Sequence, residues 1–266
     1  MGQYSINALG MIDSHCHFDL AVFENKRKQI LNKALQLGLK KLLVPGLSLD
    51  QFATLLELKH RYPLIDIALG CHPCFLSVLP EPELKRQMMR MADLASQHKT
   101  TIVAIGECGV DGSLSIPMEY QEKVLREQIR IAKVIKKPLI LHHRQSHNEL
   151  IRILKQEKFD VGGVVHAFSG SYQTAQTYIA LGLALGVGGT ITYERAVKTR
   201  RTIKAVDMAH IVLETDAPDM PVYGFQGEPN TPERLPLIAQ ALAKLKGISV
   251  NEVVQQSTAN YHRIFT

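Results

Sequence analysis

The sequence has few cysteines, and their spacing excludes the common cysteine-built architectures. Four cysteines in 266 residues are too few for a scaffold held by disulfides. Cys71 and Cys74 match a Cys-x-x-Cys spacing, but a zinc ribbon needs a second such pair and a thioredoxin-type pair opens a helix. We therefore disfavour a redox or structural zinc role for this pair.

Long hydrophobic runs, signal-peptide features and low-complexity linkers are also missing. No stretch reaches the roughly 20 apolar residues of a transmembrane helix, and the first ten residues lack the basic and apolar regions of a signal peptide. Hydrophobic residues make up 45% of the chain, which is enough for a large core. We predict a cytoplasmic protein with no membrane partner and no obligate protein partner. It is expected to form one domain over residues 1–266, with residues 1–10 as a lead before the first strand.

Short apolar runs alternate with longer amphipathic stretches of helical periodicity. This alternation predicts a parallel sheet covered by helices, and eight repeats predict an α/β fold of the (β/α)8 TIM-barrel class. A doubly wound open sheet is the alternative, but a nucleotide-binding one would carry a glycine-rich turn where this chain has His15-Cys16-His17. The eight runs are residues 11–17, 41–46, 64–72, 101–109, 138–144, 163–170, 183–189 and 211–218.

Side chains able to bind metal stand at the ends of nearly all of these runs. In a barrel the carboxyl ends of the strands form the active-site face. A single such residue is more often a turn cap or a hydrogen-bonded core residue, but the whole set favours a metal site. The set comprises His15, His17, His72, Glu107, His142, His143, His166, Glu214 and Asp216, with Arg144 beside them.

The donor types favour a catalytic centre over a structural one. Imidazole and carboxylate without thiolate suit zinc, manganese or related divalent ions. Four of these histidines and two of these carboxylates already exceed what one open catalytic ion needs, so two ions bridged by a carboxylate are predicted. Glu107 is the expected bridge because Gly106 and Gly109 leave room around it. His143 is left out, since it would face away from its neighbour His142.

Five stretches, in order, resemble the motifs of the TatD family of metal-dependent deoxyribonucleases, and the resemblance covers essentially the whole chain. Two further stretches, residues 186–193 and 224–227, resemble its YjjV-type subgroup. The five motifs are Ile-Asp-Ser-His-Cys-His-Phe-Asp at 12–19, Gly-Glu-Cys-Gly at 106–109, Pro-Leu-Ile-Leu-His-His-Arg at 138–144, Val-His-Ala-Phe-Ser-Gly at 165–170 and Leu-Glu-Thr-Asp-Ala-Pro at 213–218.

The resemblance implies a barrel hydrolase with two divalent ions, zinc, manganese or magnesium. His15 and His17 would hold the first ion with Glu107 and Asp216. Glu107 would also bridge to a second ion, which His142 and His166 would hold.

Roles for the remaining residues follow from their chemistry and from this resemblance. Asp216 is the expected proton acceptor for a metal-activated water, and Glu107 and Glu214 complete the predicted catalytic carboxylates. Arg144 offers a planar fork for phosphate oxygens, and His72 is placed with it in substrate binding. His72 or Glu214 could instead orient the metal ligands.

We therefore predict a deoxyribonuclease that hydrolyses phosphodiester bonds, with DNA or another phosphodiester as its substrate. The net charge of +6 is compatible with a polyanion. One alternative is an amidohydrolase acting on an amide or ester, although many of those carry a carboxylated lysine where Glu107 stands. Another is a metal-bound binding protein without catalysis. A basic run from Arg195 to Lys204 is interpreted as a solvated helix face, with phosphate contact as the alternative.

Overall fold

The computed structural model describes residues 10–266, in which eight strands alternate with helices. Residues 1–9 of the predicted lead lie outside the described residues. The strands are β1 (Met11–Asp13), β2 (Leu39–Val44), β3 (Ile65–Leu69), β4 (Ile102–Asp111), β5 (Leu139–Arg144), β6 (Gly163–Val165), β7 (Leu183–Val187) and β8 (Ile211–Leu213). The α-helices are α1 (Arg27–Gln36), α2 (Phe52–Arg61), α3 (Glu81–Gln97), α4 (Met118–Ile135), α5 (His147–Gln156), α6 (Tyr172–Ala180), α7 (Val197–Ala205), α8 (Leu235–Lys246) and α9 (Val250–Phe265).

The strands form a single sheet in which neighbours follow chain order from β1 to β8. The pairs are parallel, as in the register of Asp13 with Leu42 and of Leu185 with Ile211. A helix follows each strand before the next one begins, which is the repeat of a (β/α)8 fold. The predicted α/β TIM-barrel class is confirmed.

The chain divides into two compact units. The first comprises the chain up to Val44, Ala167–Ala175 and Leu185–Arg263, and the second comprises Pro45–His166, Gln176–Ala184 and Ile264–Thr266. The organisation of residues 1–266 as a single domain stays a prediction.

In the first unit, helix α9 anchors the beginnings of β1 and β8. The buried Asn260 side chain donates from Nδ2 to the carbonyl oxygens of Met208 at 2.6 Å and Ile211 at 2.8 Å. Thr258 donates from Oγ1 to the Gly10 carbonyl at 2.8 Å. Buried amide and hydroxyl groups must find partners, and here those partners are strand ends. One helix thus fixes the starts of the two strands that precede His15 and Asp216.

In the second unit, two buried glutamines of α4 clamp the backbone at the ends of β3 and β4. Gln128 accepts from the Cys71 N–H at 2.8 Å and donates to the Cys71 carbonyl at 3.0 Å. Gln121 makes the same pair of bonds with Asp111, at 2.8 and 3.1 Å. Each amide therefore satisfies both of its hydrogen-bonding groups and fixes the backbone next to His72 or at the last residue of β4.

Gly109 allows the backbones of β4 and β5 to approach closely. It is paired with His142 in the register of the two strands. A Cβ atom at Gly109 would lie 2.0 Å from the His142 carbonyl oxygen, and the φ of +157° also disfavours a side chain. Only glycine fits here.

The cysteines and the helices bear on two further expectations, that disulfides do not hold the fold together and that no helix crosses a membrane. All four cysteines are free thiols; Cys71 is buried and Cys74 is exposed. Among the helices between residues 10 and 266, none is both long and apolar enough to cross a membrane.

Candidate metal centre

The first donor group consists of His15, His17 and Asp216, which lie just beyond the ends of β1 and β8. The two imidazole Nε2 atoms are 3.3 Å apart. Oδ1 of Asp216 lies 3.5 Å from the His15 Nε2 and 3.7 Å from the His17 Nε2. All three residues are buried. Three of the four side chains predicted to hold the first ion therefore converge on one point. Their role as metal ligands stays a prediction.

The backbone that carries this group is fixed by Asp13, a buried residue to which the sequence analysis gave no role. Its Oδ1 accepts from the Thr215 N–H at 2.9 Å, and its Oδ2 accepts from the Thr215 hydroxyl at 2.6 Å. Burial raises the Asp13 pKa to about 7, although these hydrogen bonds oppose the shift. Asp216 donates its N–H to the His15 carbonyl at 2.8 Å. The two segments that carry the donors are thereby tied together.

Asp216 has an unusual backbone conformation. Its φ of 55° lies in the left-handed region, which non-glycine residues seldom adopt. Such conformations persist where surrounding contacts impose them, and they concentrate at functional sites. Here the parallel bridge between Cys16 and Ala217 and the Asp13 hydrogen bonds supply those contacts.

The second donor group consists of Glu107 in β4, His142 in β5 and His166 directly after β6. Oε1 of Glu107 lies 3.1 Å from the His142 Nδ1 and 2.8 Å from the His166 Nε2. The two imidazole nitrogens are themselves 3.1 Å apart. These residues also match the predicted ligand positions, and they lie within the second unit.

Asp111, which the sequence analysis did not select, orients His142. Oδ2 of Asp111 lies 3.2 Å from the His142 Nε2, and the Ser113 N–H and hydroxyl donate to the Asp111 Oδ1 at 2.8 and 2.6 Å. A proton on Nε2 directed at this carboxylate leaves the Nδ1 lone pair of neutral His142 facing Glu107. Asp111 therefore sets the tautomer that presents Nδ1 as a ligand.

The charges around His142 favour a cation. Burial alone would lower its pKa, but hydrogen bonds and charge from Glu107 and Asp111 outweigh burial and raise the pKa above its ordinary value. Burial likewise would raise the Asp111 pKa, but the bonds from Ser113 and His142 hold it below its usual value. Two carboxylates thus flank one imidazole, an arrangement that a bound divalent ion would neutralise.

His72 is oriented as a hydrogen-bond donor to Glu107. Its Nδ1 accepts the Cys74 N–H at 3.1 Å, so the proton of the neutral ring lies on Nε2. Nε2 is 3.1 Å from the Glu107 Oε1. This geometry favours the alternative that His72 orients a ligand, and its predicted role in substrate binding stays a prediction.

Glu214 is completely buried, and one of its oxygens is held by backbone. Its Oε1 accepts from the Ala167 N–H at 2.5 Å. Gly186 leaves the room that this carboxylate occupies, because a Cβ atom there would lie 2.1 Å from the Glu214 Oε2. Its position suits a residue that supports the segment after His166, and its catalytic role stays a prediction.

The two residues after His142 point to different surroundings. Arg144 is exposed at the end of β5. The His143 ring lies against His147, with ring centroids 4.1 Å apart. The centroid of the His143 ring also lies 6.4 Å from that of Tyr178. The exclusion of His143 from the ligand set therefore agrees with its position.

Both donor groups fit a divalent ion. Nitrogen or oxygen donors about 2.0–2.2 Å from one ion lie roughly 3–3.5 Å from each other. The spacings within the second group are 2.8–3.1 Å, and those within the first are 3.3–3.7 Å. Each group offers two imidazoles and one carboxylate, which leaves coordination positions open for water and substrate, as in catalytic rather than structural sites.

Fold and donor groups together define a metal-dependent hydrolase of the (β/α)8 type. Comparison with known proteins gives the family: residues 12–266 match the model described as TatD related DNase, and the chain belongs to the TatD family. The resemblance drawn from the five motifs is confirmed.

Two relatives and one solved structure show how similar the chain is to known proteins. The chain is 39% identical over 255 residues to the uncharacterized metal-dependent hydrolase YjjV of Escherichia coli K12, covering 96% of this chain and 97% of that protein. An uncharacterized metal-dependent hydrolase of Haemophilus influenzae is 33% identical over 262 residues, covering 96% and 98%. The crystal structure of the E. coli YjjV protein, a TatD homolog, matches with a TM-score of 0.89 at 39% identity, covering 96% of this chain and 97% of that one.

Proposed function

We propose that this protein hydrolyses phosphodiester bonds of DNA with two divalent ions, one at each donor group. The observation that carries the proposal is the pair of donor groups, each with two imidazoles and one carboxylate at mutual distances suited to one ion. A pair of ions is a common way to hydrolyse phosphodiesters, whereas a structural site would close its coordination shell with protein ligands.

His15, His17 and Asp216 would hold one ion, and Glu107, His142 and His166 the other. The expectation that Glu107 also serves the first ion stays a prediction. Bound divalent ions of this kind lower the pKa of water and stabilise charge on phosphate oxygens. Zinc, manganese and magnesium all remain part of the proposal, because imidazole and carboxylate suit the first two and carboxylate the third.

The protein's own side chains supply proton transfer and orientation. Asp216 would accept the proton from the attacking water, since a carboxylate that lies beside the reacting water is a competent general base. The hydrogen bond from His72 keeps the Glu107 carboxylate in place, and Asp111 does the same for His142. Both contacts reduce the reorganisation needed when charge develops during the reaction.

Binding of the polyanionic substrate would use Arg144. Its guanidinium is planar and permanently charged, and the residue is exposed at the end of β5, two residues after His142. A guanidinium can bind two phosphate oxygens at once, which positions a phosphodiester better than a single point charge does.

DNA is preferred to an amide or ester substrate for two reasons. The family model is described as TatD related DNase, and the net charge of +6 favours a polyanion. The cytoplasmic location and the absence of an obligate protein partner stay predictions.

The test is hydrolysis by purified protein reconstituted with zinc, manganese or magnesium. Substrates would be end-labelled single- and double-stranded DNA, bis(p-nitrophenyl) phosphate, and a panel of amides and esters. We expect phosphodiester turnover that Asp216→Asn reduces at least about 100-fold, in line with loss of a general base. The exposed Asp160→Asn serves as the matched control and should be as active as the parent protein. DNA cleavage that persists in Asp216→Asn would identify a contaminating nuclease, and turnover of amides or esters alone would overturn the proposal.

A further inference from the structure

A cavity of about 380 Å³ lies beside the segments that follow β7 and Asp216 in the first unit. Its wall combines two tyrosines with an arginine, a composition that the proposed chemistry at the metal centre does not use. The cavity is lined by Thr192, Tyr193, Glu194, Arg195, Tyr223 and Gln226.

The two tyrosine rings are displayed on a fixed backbone. Tyr223 is 67% exposed, and its ring stands edge to face with that of Tyr193, at 89° and a centroid distance of 5.9 Å. The Tyr193 hydroxyl donates to the Pro221 carbonyl at 2.7 Å, and the Tyr223 N–H donates to the Thr192 Oγ1 at 2.8 Å. An exposed aromatic side chain held this firmly is suited to contact a ligand, because little conformational entropy is lost on binding.

A positive charge lies next to the rings. The guanidinium carbon of Arg195 is 5.0 Å from the centroid of the Tyr193 ring. The adjoining helix α7 presents exposed Lys198 and Arg201. Arg200, by contrast, donates to the Ile191 carbonyl. The basic residues between Arg195 and Lys204 therefore include both solvent-exposed side chains and one that fixes the neighbouring backbone. Stacking surface and positive charge occur together where proteins bind single-stranded nucleic acid.

Hydrogen bonds join this cavity to the first donor group. Asn230, which is fully buried, donates from Nδ2 to the carbonyls of Thr215 at 2.8 Å and Met220 at 3.2 Å. The same side chain therefore fixes the residue before Asp216 and the segment that leads into Tyr223. A ligand in the cavity would be positioned relative to the donor group without a mobile linker.

We propose that this cavity binds one unpaired nucleotide of the DNA substrate, with the base stacked on Tyr223 and the backbone phosphate paired with Arg195. The proposal rests on the proposed function and adds a preference for single-stranded or frayed ends. Bases inside a duplex have both faces covered by their neighbours, whereas an unpaired base can offer a free face to Tyr223. Stacking tolerates any base, so the preference concerns strandedness and not sequence.

The test is fluorescence anisotropy with a labelled ten-nucleotide oligothymidylate, in EDTA to prevent metal-dependent turnover. Tyr223→Ala should raise the Kd about 5- to 150-fold, the range for loss of one base stack. Tyr223→Phe should restore the parent affinity because it keeps the ring. Tyr172→Ala is the matched control, since Tyr172 is also exposed in the first unit, at 48%, and it should bind as the parent does. Arg195→Gln should reduce the salt dependence of binding by about one phosphate contact.

Three results would overturn this inference: unchanged affinity in Tyr223→Ala, an equal loss in Tyr172→Ala, or an equal effect of Tyr223→Ala on heparin, a polyanion without bases. Metal-loaded hydrolysis separates it from the proposed function. Tyr223→Ala should lower kcat/KM for single-stranded DNA, whereas the control Tyr172→Ala should leave it unchanged. DNA cleavage that is insensitive to Tyr223→Ala would refute only the stacking site. Tyr223-dependent binding of oligothymidylate without any cleavage would refute only the nuclease proposal.

Discussion

The contact between Asp111 and His142 predicts that two substitutions of Asp111 weaken metal binding to different extents. Asp111→Asn keeps the shape of the side chain but removes its charge, and Asp111→Ala removes the hydrogen bond from the His142 Nε2 as well. In both variants the ring becomes freer to rotate or to carry its proton on Nδ1, the atom that faces Glu107 at 3.1 Å. Either change weakens the second donor group.

The expected magnitude follows from the role of such outer carboxylates. Loss of a group that orients a histidine ligand typically lowers metal affinity about 10- to 100-fold, or about 1.4–2.7 kcal/mol. Asp111→Asn should lie near the lower end, because an amide oxygen can still accept from the His142 Nε2, which is 3.2 Å from the Asp111 Oδ2. Asp111→Ala removes the acceptor and should lie near the upper end. Gln121 holds the Asp111 backbone independently of its side chain, so the fold of β4 should survive both substitutions.

Competitive titration with a fluorescent chelator would measure this effect. The binding step lost in His142→Ala identifies the second donor group, and only that step should weaken in the Asp111 variants. In cobalt-substituted protein, the visible absorption of the same site should change. Asp160→Asn is the control for a distant carboxylate. Affinity within twofold of the parent in Asp111→Ala, with normal thermal unfolding, would refute the orienting role.

Three further predictions concern other parts of the molecule. Gly186→Ala should displace the buried Glu214 carboxylate and lower stability by about 1–3 kcal/mol, as overpacking does; an unchanged denaturation midpoint would contradict the close approach. Glu157 is bound by Arg126 at 2.8 Å; burial alone would raise its pKa, but its arginine partners hold the pKa below the ordinary 4.5. The ionised Glu157 carboxylate therefore stabilises the fold fully above about pH 4.5, and this stabilisation is lost as the pH falls through the lower pKa that Glu157 has in the folded protein. Glu157→Gln should flatten the acid limb of the stability curve and lower the Tm at pH 7 by about 2–4 °C. Identical acid limbs would argue against this. In native protein a thiol reagent should modify Cys74 rapidly and leave Cys71 protected, since burial raises the Cys71 pKa to about 12; rapid modification of both would revive a redox pair.

The repeat of strands and helices was predictable, whereas the strand ends were not. Three predicted runs extend well beyond the observed strands: β1, β6 and β8 have three residues each. The apolar pattern continues because Cys16, Phe168 and Ala217 are buried beyond the last residues of β1, β6 and β8. Burial and sheet pairing give the same pattern in sequence, so the ends of short strands cannot be located from hydrophobicity alone.

The donor residues were predictable because they are polar and directly follow apolar runs. The residues that orient them were not. Asp111 lies beyond the predicted end of the fourth run at residue 109, because β4 continues through a register shift between Ile105 and Cys108. Asp13 precedes the first histidine pair, but its partner Thr215 is 202 residues away. Such pairings depend on tertiary contacts that local sequence does not encode.

The distance between Asp13 and Thr215 also governs when the first donor group can form. His15 and His17 leave the ribosome early, whereas Asp216 is made about 200 residues later, which is a delay of roughly 10–40 s at ordinary rates of synthesis. During that interval His15 and His17 lack both the Asp216 carboxylate and the bonds between Asp13 and Thr215 that fix the segment. If this group holds an ion as proposed, its complete donor set exists only near the end of synthesis, when the segment after β8 meets the segment after β1.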